Sequence, residues 1–213
     1  MNLNRNKIKL ALLIFGFASL SSAEPQNCTY STYKWSVNEK RAVEYREVQK
    51  KYSELTDIER DKTTGCTVCR EDQRWVHVGN LEPVRMCKVY AERVEVELNR
   101  LLQSGEPIYK LIGYRVGMTR GDVDDQGNRT QFSNHSFGIA LDINDEQNGL
   151  YDQCLVYSEQ CNLRKGGRWN PAQVGSLTLD SDIVKRMKTL GFKWGGEIAG
   201  KQKDFMHFSP TGY

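Results

Sequence analysis

His135 and Asp142 stand seven residues apart in Ser133-Asn134-His135-Ser136-Phe137-Gly138-Ile139-Ala140-Leu141-Asp142-Ile143-Asn144, and no regular element brings such a pair together. A strand would hold them roughly 23 Å apart on opposite faces. A straight helix would hold them about 10 Å apart, a long reach for two short side chains. If the two act at one place, the chain turns between them. Asn134, Ser136 and Gly138 supply the turn chemistry. Residues 139–143 then read as a short strand, with Ile139, Leu141 and Ile143 on a core face and Ala140 and Asp142 on the other. A carboxylate beside a small residue leaves room for an ion or a substrate.

A second stretch, Asp204-Phe205-Met206-His207-Phe208, places another of the three histidines close behind a carboxylate. His135, Asp142 and His207 together offer two imidazoles and one carboxylate. That set suits one catalytic Zn²⁺ with its fourth position open to water. Calcium and magnesium prefer all-oxygen shells. Asp204 is then the candidate general base, with Glu197 the alternative upstream of His207. His77 lies outside both stretches and reads as exposed or structural.

The pattern Ser-x-His-x-x-Gly-x-Ala-x-Asp, followed by Trp194-Gly195-Gly196 and Asp204-x-x-His207-Phe208, resembles the M15 family of zinc peptidases. The upstream Gly113-Tyr114-Arg115 matches too, so the likeness spans roughly residues 105 to 213. The resemblance implies a D-alanyl-D-alanine carboxypeptidase or an L-alanyl-D-glutamate endopeptidase, acting on peptidoglycan stem peptides. It implies metal ligands His135, Asp142 and His207, and catalytic roles for Asp204 and Arg115. A guanidinium beside the metal can stabilise the oxyanion that develops during attack. Arg120 competes with Arg115 for that role. The implied fold is α+β, an antiparallel sheet carrying the zinc site and packed against helices, as in the Hedgehog signalling domain and the DD-peptidases.

The chain divides into an export signal (1–23), an N-terminal helical, disulfide-containing segment (24–104) and a zinc peptidase core (105–213). Arg5, Lys7 and Lys9 precede an apolar run too short to span a bilayer, and Ser21-Ser22-Ala23 offers small residues for cleavage. A periplasmic or secreted bacterial protein is expected, without a stable membrane anchor after cleavage and acting as a monomer. Without the three signal cations, the 30 basic residues fall to 27 and balance the 27 acidic ones. No basic field attracts nucleic acid, and no nucleic-acid partner is expected.

All six cysteines lie beyond the signal and read as disulfides in an oxidising compartment. Cys154 and Cys161 enclose a short loop and are expected to pair. The connectivity of Cys28, Cys66, Cys69 and Cys87 stays open, and Cys66-x-x-Cys69 with Cys87 and His77 admits a minority structural-zinc reading.

Val43, Val48, Tyr52 and Leu55 recur at near-helical spacing, so residues 36–60 read as an amphipathic helix. Residues 75–78 alternate like a strand. A second helix is expected over 83–103, a strand over 108–116, and a short helix over 180–190 capped by Asp180 and ended by Gly191. Residues 145–179 form a long connection in which Tyr151, Trp169 and the Cys154/Cys161 staple make a substrate-facing wall. The strands at 108–116, 138–144 and 204–208 must be neighbours if the ligands converge. Two readings compete with a peptidase: a zinc-containing peptidoglycan- or peptide-binding protein without catalysis, and a structural protein of the cell envelope.

Overall fold

The computed structural model describes residues 26–213. The expected export signal lies outside the described residues. In chain order the elements are β1 (Asn27–Ser36), β2 (Arg41–Lys51), β3 (Gln73–Val76), β4 (Val84–Cys87), α1 (Ala91–Gln103), β5 (Leu111–Ile112), β6 (Met118–Val123), β7 (Arg129–Phe132), β8 (Leu141–Ile143), β9 (Leu150–Asp152), β10 (Asn162–Lys165), α2 (Asp182–Thr189), β11 (Lys193–Trp194), β12 (Gln202–Asp204) and β13 (His207–Ser209). They form an α+β fold with mixed sheets and two helices.

The sheet that matters most for the site has the order β11-β13-β8-β5 and is antiparallel throughout. It joins the three stretches that the ligand argument required to be neighbours. Asp142 sits at its centre, paired in register with His207 on one side and Ile112 on the other. Residues directly opposite one another in such a pair project to the same face. The register therefore puts the Asp142 and His207 side chains together.

Behind this sheet lie the helices. In α1 the buried residues are Ala91, Val94, Leu98 and Leu101, a stripe at spacings of three and four. Each Val or Leu of such a stripe contributes about 1.5–3 kcal/mol on full burial. The shorter α2 buries Ile183, Val184 and Met187 into the same core, where Leu141, Ile143 and Phe208 also lie. Its N-cap position is Ser181 rather than Asp180. Gly191, at φ +90°, ends it, and the Phe192 N–H donates back to the Met187 carbonyl at 3.2 Å.

The helix expected over residues 36–60 is absent. Residues 27–51 are instead a long antiparallel hairpin, β1 with β2. The misreading has a physical source. The register slips between Thr32 and Lys34, where two residues of β2 oppose one of β1, and Glu44 adopts φ +53° there. A bulge resets the period of two. Val43 and Val48 then fall five apart, which imitates a helical stripe in the sequence. The second expected helix also begins late: residues 84–87 are β4, paired with β3, and only Ala91–Gln103 is helical. Of the strand expected over 108–116, Leu111–Ile112 is paired as strand.

Three disulfides are formed: Cys28–Cys69, Cys66–Cys87 and Cys154–Cys161. The last is the pairing expected from spacing. The first two use up the cysteines of the structural-zinc reading, so that reading fails; His77 is exposed. Closing chain separations of 41 and 21 residues stabilises the fold, by about 3–4 kcal/mol each in a chain-entropy account. These two bridges sit in a second core with Tyr30, Val68, Phe132, Phe137 and Ile139. That core reaches from the hairpin to the turn that carries His135. No helix among the described residues is long and apolar enough to cross a membrane.

Candidate metal centre

His135 reaches the sheet through the turn the sequence required. Residues Asn134–Phe137 form a single 3-10 turn, closed by Gly138 at φ +66°. A side chain at Gly138 is excluded twice. The left-handed backbone disfavours it, and a Cβ would meet the Gln73 amide oxygen at 1.9 Å and the Cys87 nitrogen at 2.6 Å. The close approach is used: the Cys87 N–H donates to the Gly138 carbonyl at 2.8 Å. The disulfide-linked segment thus braces the turn from behind.

The His135, Asp142 and His207 side chains are all buried, and their ligand atoms lie within 4.8 Å of one another. The Asp142 Oδ1 is 3.0 Å from His135 Nε2 and 2.8 Å from His207 Nδ1. On its other side, His135 Nδ1 is 2.9 Å from the Gly113 carbonyl oxygen. A carbonyl only accepts, so Nδ1 carries the hydrogen and the neutral ring turns a lone pair at Nε2 toward Asp142. Two acceptors facing each other at this distance repel unless a cation lies between them. A metal ion fits that requirement, and a carbonyl holding the far nitrogen of a histidine is the usual support of a metal ligand. The donor set of two imidazoles and a carboxylate suits a divalent transition metal. His207 Nε2 is buried without a hydrogen-bond partner among the described residues.

The electrostatics agree. Burial holds the His135 imidazole down, toward its neutral, ligating form, against the pull of Asp142. Burial opposes the ionisation of Asp142, but the two imidazoles outweigh it and keep the carboxyl well below the usual range. Burial also works against charge on His207, yet the Asp142 carboxylate, with help from Asp204, raises it.

Asp204 stands at the edge of this cluster. Its position depends on Gly195, where a Cβ would meet the Asp204 carbonyl oxygen at 2.3 Å. The Gly195 N–H donates to the His207 carbonyl and the Asp204 N–H donates to the Gly195 carbonyl, at 2.8 and 3.1 Å. Trp194 adds an indole hydrogen bond to the Phe205 carbonyl at 2.7 Å. The Trp-Gly-Gly run is therefore the clamp that holds the Asp204–His207 turn. The Asp204 Oδ1 is shut off from solvent with no hydrogen-bond partner. Burial, with the Asp142 charge adding to it, pushes its carboxyl up to about 6, against the opposing pull of His207, Lys165 and Arg115. Glu197, the alternative base, points elsewhere: it is paired with Lys188 at 2.9 Å.

Arg115 Nη2 is 3.5 Å from Asp142 Oδ2, with the side chain about 35 % exposed and its Nε buried without a partner. Arg120 also approaches. Burial lowers its pKa, while the Asp204 charge opposes that, and its guanidinium lies 5.5 Å from the centre of the Tyr213 ring. The expected substrate-facing wall is not one. Tyr151 is fully buried, and Trp169 stacks on Phe205 at 4.1 Å, so both brace the Asp204–His207 turn from inside.

Sequence reasoning overlooked the Gly113 carbonyl, because a backbone acceptor leaves no residue-type signal. Its only trace was the Gly113-Tyr114-Arg115 run, noted for the arginine.

Residues 126–210 match the family model described as D-alanyl-D-alanine carboxypeptidase, within the M15 peptidases. No curated protein and no solved structure matches the chain.

Proposed function

We propose, for a chain that over residues 126–210 belongs to the M15 zinc metallopeptidases, that it hydrolyses peptide bonds in bacterial peptidoglycan stem peptides. The action is that of a D,D-carboxypeptidase or an endopeptidase. The observation that carries this reading is the His135 ring, held by Gly113 so that its free nitrogen faces Asp142 and His207. His135, Asp142 and His207 are the residues that would hold Zn²⁺. A zinc ion here supplies a Lewis acid that acidifies water and polarises a carbonyl.

The chain's own residues do the rest. Asp204 is the general base: a carboxyl near 6 is largely ionised at neutral pH yet holds a proton once given one. It takes the proton that the attacking water gives up and returns it to the leaving amine. Arg115, beside Asp142 and still open to solvent, stabilises negative charge on the substrate oxygen. The antiparallel sheet under the site supports a fold of the Hedgehog and DD-peptidase type. The three disulfides support a periplasmic or secreted location, the one that the export signal expected over residues 1–23 would give.

The test is mass spectrometry of purified muropeptides after incubation with the zinc-loaded protein. Loss of one terminal alanine marks a carboxypeptidase; two separated fragments mark an endopeptidase. Chelation should abolish turnover and zinc should restore it. Muropeptides left intact by zinc-loaded protein would sink the reading. Asp204→Ala is expected to keep its zinc while turnover falls about 10²–10⁴-fold. His207→Ala should lose metal and turnover together.

A further inference from the structure

The residues that precede the matched domain build a groove that reaches the metal centre. The β1–β2 hairpin supplies Tyr33 and Tyr45, and β3 supplies Trp75. Gly113 and Arg115 also line it, and they touch His135 and Asp142 in the centre. The groove encloses about 790 Å³, within the range of roughly 300–1,000 Å³ typical of ligand clefts.

Its lining carries no net charge. Arg46 is paired with Glu44 at 3.2 Å and Arg115 with Asp142 at 3.5 Å. That leaves Arg70 and Arg85 against Glu47 and Glu82. A polyanion finds no excess of cations here. What the lining offers is aromatic surface. Tyr45 leans on Tyr33 with ring centres 5.8 Å apart, yet 73 % of it is exposed. The Arg85 guanidinium lies 4.2 Å over the Trp75 ring and steadies the indole, which stays 51 % exposed. Both rings are braced by a neighbour and open to solvent.

Polar groups stand between the rings. The alternation along β1 sends Cys28 and Tyr30 into the core and puts Ser31 and Tyr33 on the opposite face. The hairpin register sets Glu47 opposite Ser31, so the two project together. Arg70 reaches the Ser31 hydroxyl at 3.5 Å. A purely apolar partner would bury these hydroxyl, carboxylate and guanidinium groups without hydrogen bonds, at a cost. A sugar meets both kinds of surface. The C–H face of a pyranose lies on an aromatic ring, while its hydroxyls and acetamides donate to carboxylates and accept from guanidinium groups.

We propose that this groove binds a strand of N-acetylated amino sugars, with Trp75 and Tyr45 as its stacking platforms. A neutral polymer suits a neutral lining, and a groove with more than one aromatic platform takes a chain rather than a single sugar. One consequence rests on the peptidase reading: the substrate is a stem peptide still attached to its glycan. The N-terminal half then holds the strand while the centre acts on the peptide.

The experiment is calorimetric titration of the purified protein with chitohexaose and with peptide-free glycan strands of peptidoglycan. Both should bind. Tighter binding of the glycan strands marks the cell wall as the source of the ligand. Tighter binding of chitohexaose marks chitin, which keeps the site and withdraws the attached-peptide consequence. Tyr45→Ala and Trp75→Ala should each weaken binding about tenfold, and Trp75→Phe should recover part of the loss. The Tyr45→Ala variant should unfold at the wild-type temperature, because that side chain is mostly exposed. Lost binding is thereby separated from a lost fold. Arg164→Ala, outside the groove lining, should change nothing. A free Ala-Glu-Lys-Ala-Ala peptide should not displace the sugar. Failure of both glycans to bind, wild-type affinity in the two alanine variants, or displacement by the peptide would each overturn the proposal. Neither sugar carries a peptide to cut, so this result and the hydrolysis test can fail independently.

Discussion

At the scale of single residues, the centre is a contest for one small volume between a metal ion and a proton. The Asp142 carboxylate raises His207 and lies 2.8 Å from its Nδ1, an arrangement that favours a proton between the two when no metal is bound. Metal must displace it. Zinc affinity is therefore expected to weaken as pH falls below the raised value of His207, and zinc uptake should release protons; calorimetry in buffers of different ionisation enthalpy measures both. A pH-independent affinity between 6 and 8 would contradict the shared-proton arrangement.

Away from the centre, the buried Glu59 ties stability to pH. Burial opposes the charge on Glu59, but Lys50, Tyr30 and Thr56 outweigh it and hold its carboxyl at about 2. A depressed carboxyl stabilises the fold above its unfolded value, and that contribution disappears as pH falls from about 4.5 to about 2. Glu59→Gln is expected to cost up to about 3 kcal/mol at pH 7 and to flatten acid unfolding in that window, as urea titrations at several pH values would show. The His135, Asp142 and His207 cluster was legible because its chemistry is written in residue type and spacing. Glu59 was not, since its partners are scattered from Tyr30 to Thr56 and meet only through the hairpin.

The elements differ in how far their local pattern reflects their surroundings. The stripes of α1 and α2 each face one core, so their periods survive in the sequence, although the stripe of α1 ran on into β4 and placed its start eight residues early. The β2 arm of the hairpin is largely exposed, and its bulge at Glu44 breaks the alternation that would have declared it. The turn at 134–137 was legible as a necessity of spacing, but its tightness was not, because Gln73 and Cys87 come from a distant part of the chain. Gly138→Ala tests that tightness. It adds a left-handed strain and a clash with backbone, so destabilisation of about 2–4 kcal/mol is expected. Zinc affinity should fall with it, because His135 rides on the same turn. Thermal unfolding with and without zinc checks both effects. An alanine variant of wild-type stability would mean that the turn moves freely.

Across the whole molecule, the N-terminal half acts on the centre without contributing a ligand. The Cys66–Cys87 bridge fixes the strand whose backbone braces Gly138, and Tyr114 reaches back to the Val68 carbonyl at 2.6 Å. A Cys66→Ser, Cys87→Ser double variant is expected to hold zinc about tenfold or more weakly, although neither cysteine touches the metal position; competition with a chromogenic chelator reads the change. Unchanged affinity would reduce the bridge to a local staple. The ties themselves have a common character. Cys87 N–H to the Gly138 carbonyl and Tyr114 N–H to the Arg85 carbonyl both use main-chain atoms of the supporting segment around β4. Such ties constrain the path of the chain and place almost no demand on which side chains line it. Side-chain substitutions along these supporting segments should therefore leave the centre in place as long as the path of the backbone is kept.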